Sequence, residues 1–188
     1  MVDAEAPGPA PVRTPADPSA GALRVPGVVA LDHVGIAVPD LDAAILFHTE
    51  VLGLVLVHRE VNEEQGVAEA MLAPAGAPAG AAEVQLLAPL DEGSAIARFL
   101  DRSGPGLQQL AYRVLDVDAA CDELRTRGVR LLYDRPRAGT RGSRINFIHP
   151  RDAGGVLVEL VGATGPDRGP TEAARVVHDP EGVRVDGG

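Results

Sequence analysis

Apolar and polar residues alternate at Val34, Ile36 and Val38, with His33, Gly35 and Ala37 between them. Period two predicts a half-buried strand. Asp40 follows where a helix N-cap belongs. Leu41, Ala44, Ile45, His48, Val51 and Leu52 then fall on one helical face, and Gly53 ends the run. Three β-type segments come next, at 54–60, 67–72 and 82–87. This is a β-α-β-β-β order. The order then recurs: a strand at 110–114, a helix at 117–127, Gly128, and strands at 129–133, 144–148 and 156–161.

The recurrence extends to residue identities. Val38 matches Val114 and Asp42 matches Asp118, both at an offset of 76. Gly53 and Gly128 lie 75 apart, and the stretches from Glu83 and Leu157 lie 74 apart. Ordered matches over a whole module, with the slow drift that short loop deletions give, mark an internal repeat. The fold class expected is α+β, with two tandem βαβββ modules forming a cupped mixed-sheet cavity. The modules occupy about 29–90 and 106–161 of a domain at 29–161. Each has one exposed sheet face, and the two are expected to pair so as to cover those faces. Residues 1–28 contain six of the 16 prolines between Pro7 and Pro26, and predict a disordered Pro/Ala-rich arm. Residues 162–188, rich in Gly, Pro and charge, predict a flexible tail with a short helix near 171–177.

Strand alternation also sorts the polar residues. If Val34, Ile36 and Val38 pack on the helix, His33 faces the other way. By the same rule Gln109 faces away from the second helix, Gln85 lies opposite Val84 and Leu86, and Glu159 opposite Val158 and Leu160. His33 and Gln109 hold equivalent repeat positions, and so do Gln85 and Glu159. Four polar groups converging on one inner face are costly unless they are bonded to something.

Composition narrows the partners. Aromatic residues are 3% with no Trp, and the formal charge is −10. Neither a base-stacking platform nor attraction to a phosphate backbone fits, so nucleic acid is not expected. No apolar run approaches the ~18 residues of a membrane span. Residues 1–5 lack the basic start of a secretory signal. The single Cys121 suits a reducing, cytoplasmic setting and, on the apolar stripe of its helix, reads as a small core residue. His48 reads as core or near-core. Glu60, Glu63 and Glu64 read as a solvated turn. Arg98, Arg141 and Arg144 read as surface arginines, and the Gly-rich stretches 74–82 and 139–142 as hairpin loops. Taken singly, His33 would be a satisfied core histidine, Gln109 its polar partner, and Glu69 a solvated strand residue. Glu159, inside the apolar run 156–161, is expected to be buried, where a carboxylate needs a cation or a raised pKa.

Particular strings go further. They are L-D-H-V-G-I-A-V from Leu31, H-R-E-V-N-E-E-Q-G-V-A-E-A-M-L from His58, V-Q-L-L-A-P-L from Val84 and S-A-I-A-R-F-L from Ser94. They continue with L-L-Y-D-R-P-R from Leu131, G-S-R-I-N-F-I-H-P from Gly142 and G-V-L-V-E-L from Gly155. Together they resemble the methylmalonyl-CoA epimerase branch of the vicinal oxygen chelate superfamily, over nearly all of 31–161. The resemblance implies an isomerase acting on a CoA thioester, with a divalent metal such as Co, Mn or Mg in the cavity. The implied ligands fall on His33, Gln85 and Glu159. The fourth family ligand, a histidine, is replaced here by Gln109. The implied base pair is Glu69 and Glu159, with Glu64 in the neighbouring loop. The resemblance also implies a homodimer and a small-molecule acyl thioester as substrate.

The chemistry is demanding. Epimerising C2 of a 2-substituted malonyl thioester removes a weakly acidic proton and returns one to the opposite face. Two acid/base groups and a means of holding the enolate oxygen are required. Amides are weaker donors than imidazole for Co and similar ions, so Gln109 predicts loose metal binding or none. Two alternatives stand beside the epimerase. One is a repurposed, metal-independent relative acting on another acyl thioester or biosynthetic intermediate, of lyase or cyclase type. The other is a non-catalytic protein that binds a small molecule.

Overall fold

The computed structural model describes residues 27–162. The helix expected near 171–177, and all but the last two residues of the expected arm, lie outside the described residues. The strands are β1 (Val28–Ala37), β2 (Leu54–Asn62), β3 (Val67–Pro74), β4 (Glu83–Pro89), β5 (Gly106–Val114), β6 (Arg137–Ala138), β7 (Arg144–Ile148) and β8 (Leu157–Gly162). They form one sheet in the order β2-β3-β4-β1-β5-β8-β7-β6. β1–β4 and β5–β8 run parallel, while β1 and β5 join antiparallel at the centre. The two halves therefore meet edge to edge through β1 and β5 rather than face on face. Pairing of strand edges extends one hydrogen-bonded ladder, and the curl of the resulting half-barrel encloses the inner face.

The helices α1 (Leu41–Leu46) and α3 (Val117–Thr126) cover the convex side. Each starts on a capping aspartate: Ala43 N–H donates to Asp40 Oδ1 at 3.0 Å, and Ala119 N–H to Asp116 Oδ1 at 3.1 Å. Leu41 of α1 packs with Val38, Ala70, Leu72, Leu86 and Ala88. On the other half Val117, Ala120, Cys121 and Leu124 of α3 pack with Val114 and Leu160. Cys121 is a core residue, as expected, and its Sγ accepts from Asn146 Nδ2 at 3.4 Å.

Four local expectations are corrected. The first helix does not carry one face through to Leu52. After Leu46 it widens into a π-type turn, Phe47–Val51, with His48 Nδ1 on Ala44 O (2.8 Å) and Thr49 Oγ1 on Ile45 O (3.0 Å). The wider turn rotates later residues away from the core, so Val51 and Leu52 are exposed. Second, 129–133 is not a strand; only Leu131 bridges to Ile148. The buried Asn146 carboxamide accepts from Tyr133 N–H (3.2 Å) and donates to Tyr133 O (3.0 Å), occupying the groups a ladder would use. Pro136 then removes a backbone donor, and the edge strand is the two-residue β6. Third, β1 and β8 each run one residue beyond the expected limits of 29 and 161. Fourth, α2 (Ala95–Ser103), which links the halves, has no counterpart among the expected elements. Ser94 caps it, accepting from Ala97 N–H at 3.0 Å, and Ile96 packs it against Ala37 of β1 and Leu87 of β4. No helix among the described residues is long and apolar enough to cross a membrane.

Candidate active site

The centre of the curl is built by the four middle strands. His33 on β1, Gln85 on β4, Gln109 on β5 and Glu159 on β8 are all buried on the concave face, as alternation requires. They meet. His33 Nε2 lies 3.1 Å from Glu159 Oε2 and 3.4 Å from Gln109 Nε2. Gln109 Nε2 donates to Glu159 Oε2 (2.5 Å) and Gln85 Oε1 (3.2 Å). Gly35 makes the crossing possible. It pairs with Gln85 on one side and Gln109 on the other, and a Cβ there would sit 2.6 Å from Gln109 Cγ.

Asp32 orients the histidine. A bulge between Leu31 and His33 breaks the β1–β5 register, which re-aims the side chain beside it. Asp32 Oδ1 accepts from His33 Nδ1 at 2.9 Å, and its Oδ2 accepts from Arg113 Nε at 2.7 Å. Burial raises the Asp32 pKa, but His33 and Arg113 outweigh that and hold it below its ordinary value. Burial likewise pulls His33 down, yet the hydrogen bonds to Asp32 and Glu159 prevail and raise it to about 9.

Glu69 on β3 is the second buried carboxyl. Its Oε2 accepts from Gln85 Nε2 at 2.7 Å, and its Oε1 accepts from Thr140 Oγ1 at 3.0 Å. Burial raises its pKa from 4.5 to about 8, and the hydrogen bond that its protonated form donates to the cross-strand neighbour Glu60 adds to this, against the Thr140 bond. Glu69 therefore holds a proton at neutral pH. Two amide side chains, Gln85 and Gln109, lie between Glu69 and Glu159.

Glu60 corrects the expectation of a solvated turn. It sits within β2, on the same side as His58, and its Oε2 accepts from His58 Nε2 at 2.6 Å. Glu63 and Glu64 do lie in the turn that follows. Thr140, Asp32, His58 and Glu60 carried no functional expectation. For His58 and Glu60 the signal was available: they alternate with exposed Val57, Arg59 and Val61, so strand period two aims them inward. Nothing in the Gly-rich run around Thr140 announces its reach to Glu69. Among the arginines, Arg144 pairs outward with Asp118 (2.9 Å) and Arg141 with Glu83 (3.1 Å), while Arg98 stands at the cavity wall.

The cavity over these groups is about 350 Å³. Its walls are Leu87, Ile96, Leu132, Tyr133, Phe147 and Leu157, with Arg98 and Arg137 among the lining residues. Donors of a six-coordinate ion at about 2.1 Å stand about 3 Å apart, and the contacts among His33, Gln85, Gln109 and Glu159 run from 2.5 to 3.4 Å. With Nδ1 held by Asp32, Nε2 is the His33 nitrogen left for an ion, which would have to displace the proton it shares with Glu159. Both glutamines can present amide oxygen by a half-turn. The set therefore fits a divalent ion. It holds only two side chains of the usual strong ligand types, and no cluster of three His, Cys, Asp or Glu suited to a metal occurs among the described residues.

Residues 32–147 match the family model described as Glyoxalase/Bleomycin resistance protein/Dioxygenase superfamily. The ethylmalonyl-CoA/methylmalonyl-CoA epimerase of Cereibacter sphaeroides is 37% identical over 132 residues, covering 69% of this chain and 95% of that protein. The crystal structure of methylmalonyl-CoA epimerase from Mycobacterium tuberculosis superposes with a TM-score of 0.70 at 59% identity, covering 74% and 91%. A Streptomyces coelicolor methylmalonyl-CoA epimerase variant in complex with 2-nitronate-propionyl-CoA gives 0.68 at 46%, covering 73% and 99%. With this match, and with the repeat and polar cage that carry it, the chain belongs to the glyoxalase/bleomycin resistance/dioxygenase superfamily, among relatives that are methylmalonyl-CoA epimerases.

Proposed function

We propose that this chain is an epimerase of the methylmalonyl-CoA type, moving a proton at C2 of a 2-substituted malonyl thioester. One observation carries the reading. Two buried carboxyls, Glu69 and Glu159, stand on different strands at the two ends of a Gln85–Gln109 bridge in one cavity. An epimerase needs an acid on one face of the carbon and a base on the other. In one direction Glu159 takes the C2 proton, leaving an enolate, and protonated Glu69 returns its own proton to the opposite face. In the reverse direction the roles exchange. Glu159 Oε2 already serves His33 and Gln109, so Oε1 is the oxygen we assign to the proton. Gln85 links the two centres: its Nε2 holds Glu69 and its Oε1 holds Gln109.

His33, Gln85, Gln109 and Glu159 would hold a divalent ion, of Co, Mn or Mg type. When bound, such an ion supplies electrophilic stabilisation of negative charge on the thioester oxygen. The amides at Gln85 and Gln109 suit a weaker and harder association than two imidazoles would. The acyl thioester partner is supported by the relatives' bound CoA analogue. We further propose a homodimer, supported by exposed Leu46, Phe47, Val51 and Leu52 beside the unpaired edge strand β2. A cytoplasmic setting is supported by the single buried thiol, Cys121.

The test is deuterium incorporation at C2 of methylmalonyl-CoA, followed by NMR. Chelator-treated protein is compared with protein given back Co, Mn or Mg, with Glu69→Gln as control. Exchange restored by metal is the expected result, with Glu69→Gln losing epimerisation while Glu159 still exchanges the C2 proton of one epimer. Exchange that persists without metal would assign the enolate oxygen to the amide N–H groups. Absence of exchange under every condition overturns the epimerase reading and favours a binding protein or a different thioester reaction.

A further inference from the structure

Arg141 is the only non-glycine residue with positive φ among the described residues (φ 57°, ψ 27°). It lies in the short turn Thr140–Gly142 between β6 and β7. A side chain in this left-handed conformation persists only where its surroundings hold it. The holding contacts come from the other half of the molecule. Arg141 N–H donates to Glu60 Oε2 at 3.4 Å, and Arg141 Nη1 stands 3.1 Å from each carboxylate oxygen of Glu83. On either side the same segment makes further crossings. Gln65 Nε2 donates to Ala138 O at 3.5 Å, and Arg137 Nη1 lies 3.8 Å from Glu64. Between these anchors the Thr140 hydroxyl donates to Glu69 Oε1 and accepts from Gln85 Nε2.

Neither Arg141 nor Glu83 lines the cavity over the buried carboxyls. They act through what they hold. We propose that Arg141, paired with Glu83, is a positioning residue that latches the 137–142 segment onto the first half of the sheet and so sets the Thr140 hydroxyl on Glu69. This rests on the epimerase reading for its effect on turnover, though not for the latch itself. Without the latch the turn leaves β4, Glu69 loses one of its two donors, and its carboxyl no longer keeps a single orientation toward the substrate carbon. A misplaced proton donor lowers the chemical step more than it lowers binding.

Arg141→Gly is the sharpest variant, because glycine keeps the left-handed turn while deleting the side chain. Glu83→Gln removes the partner without touching the turn. Two readouts are paired: kcat and KM for C2 epimerisation, and amide hydrogen exchange of the peptide spanning 137–142. Arg141→Gly is expected to speed exchange in that peptide and to lower kcat about fivefold, the scale of a partly exposed ion pair, with KM within twofold. Glu83→Gln reproduces both changes, the double variant is no worse than either single, and Arg141→Lys recovers part of kcat. Unchanged peptide exchange in Arg141→Gly overturns the latch. So do effects of the two single variants that multiply in the double. If the wild-type protein moves no proton at C2, the epimerase reading fails, and hydrogen exchange alone still decides the latch.

Discussion

The two halves of the sheet share a plan and differ in chemistry. His33 and Gln109 are equivalent, as are Gln85 and Glu159, and the halves contribute evenly to the cage. The next position breaks the symmetry. Glu69 pairs with Leu87 across β3–β4, and the matching residue across β7–β8, opposite Val161, is Ile145. Both are buried. The first half also keeps a nine-residue edge strand, β2, which sets Glu60 and His58 behind Glu69, where the second half has a two-residue stub and a turn. Duplication supplies the cage. The second buried carboxyl beside it, Glu69, belongs to one half.

The largest effect should come from Glu69. Glu69→Gln is expected to lower turnover by about 10³-fold, the scale of a general acid–base group. It should also stabilise the fold at high pH. The native Glu69 pKa lies at about 8 against 4.5 in the unfolded chain, so the folded state binds more protons between these values. Its contribution to stability is full below about pH 4.5 and is lost as pH rises through about 8. The variant escapes that loss, and its melting temperature should exceed that of the wild type by a margin that grows up to about pH 8. Turnover retained by Glu69→Gln would return the acid to the symmetric cage.

The helices offer a second contrast. Leu124 on α3 is fully packed with Cys121, Val114 and Leu160, while Val51, beyond the π-type turn of α1, is exposed. Leu124→Ala should cost about 3 kcal/mol in denaturant unfolding, and Val51→Ala under about 0.5 kcal/mol. Equal costs would mean that α1 packs through to Leu52 after all.

Glu60 sharpens the asymmetry further. Its hydrogen bond and charge both raise Glu69. Glu60→Gln should therefore move the limb of the pH–rate profile that reports Glu69 downward, by roughly one unit, while leaving the His33 cage intact. A profile that does not move would detach β2 from the acid.

Much of this was legible in the sequence, because period two and the 76-residue repeat are local signals. They place His33, Gln85, Gln109 and Glu159 on one face without knowledge of strand order. What escaped them depends on contacts remote in sequence. Asn146 replaces ladder bonds at Tyr133, which no count of β-formers at 129–133 registers. Thr140 meets Glu69 across 71 positions, and the side chain of a Gly-rich loop gives no sign of its partner. Glu60 is a different failure. Its inward aim followed from the same alternation used for His33, but three acidic residues close together suggested solvent instead.

The smallest prediction tests the equivalence itself. Asp40 and Asp116 cap α1 and α3 with the same geometry, each accepting from the N–H three residues on, at 3.0 and 3.1 Å. Replacing either with Ala should cost about 1 kcal/mol. The helices behind them differ, since α1 has six residues before it widens and α3 has ten. Capping, however, acts on the first turn, and both first turns lie on matched cores headed by Leu41 and Val117. Urea unfolding of Asp40→Ala and Asp116→Ala should then give losses within about 0.5 kcal/mol of each other. A much smaller loss at Asp40 would mean that the π-type turn lets α1 fray from its far end, and that the two halves have diverged in stability as well as in chemistry.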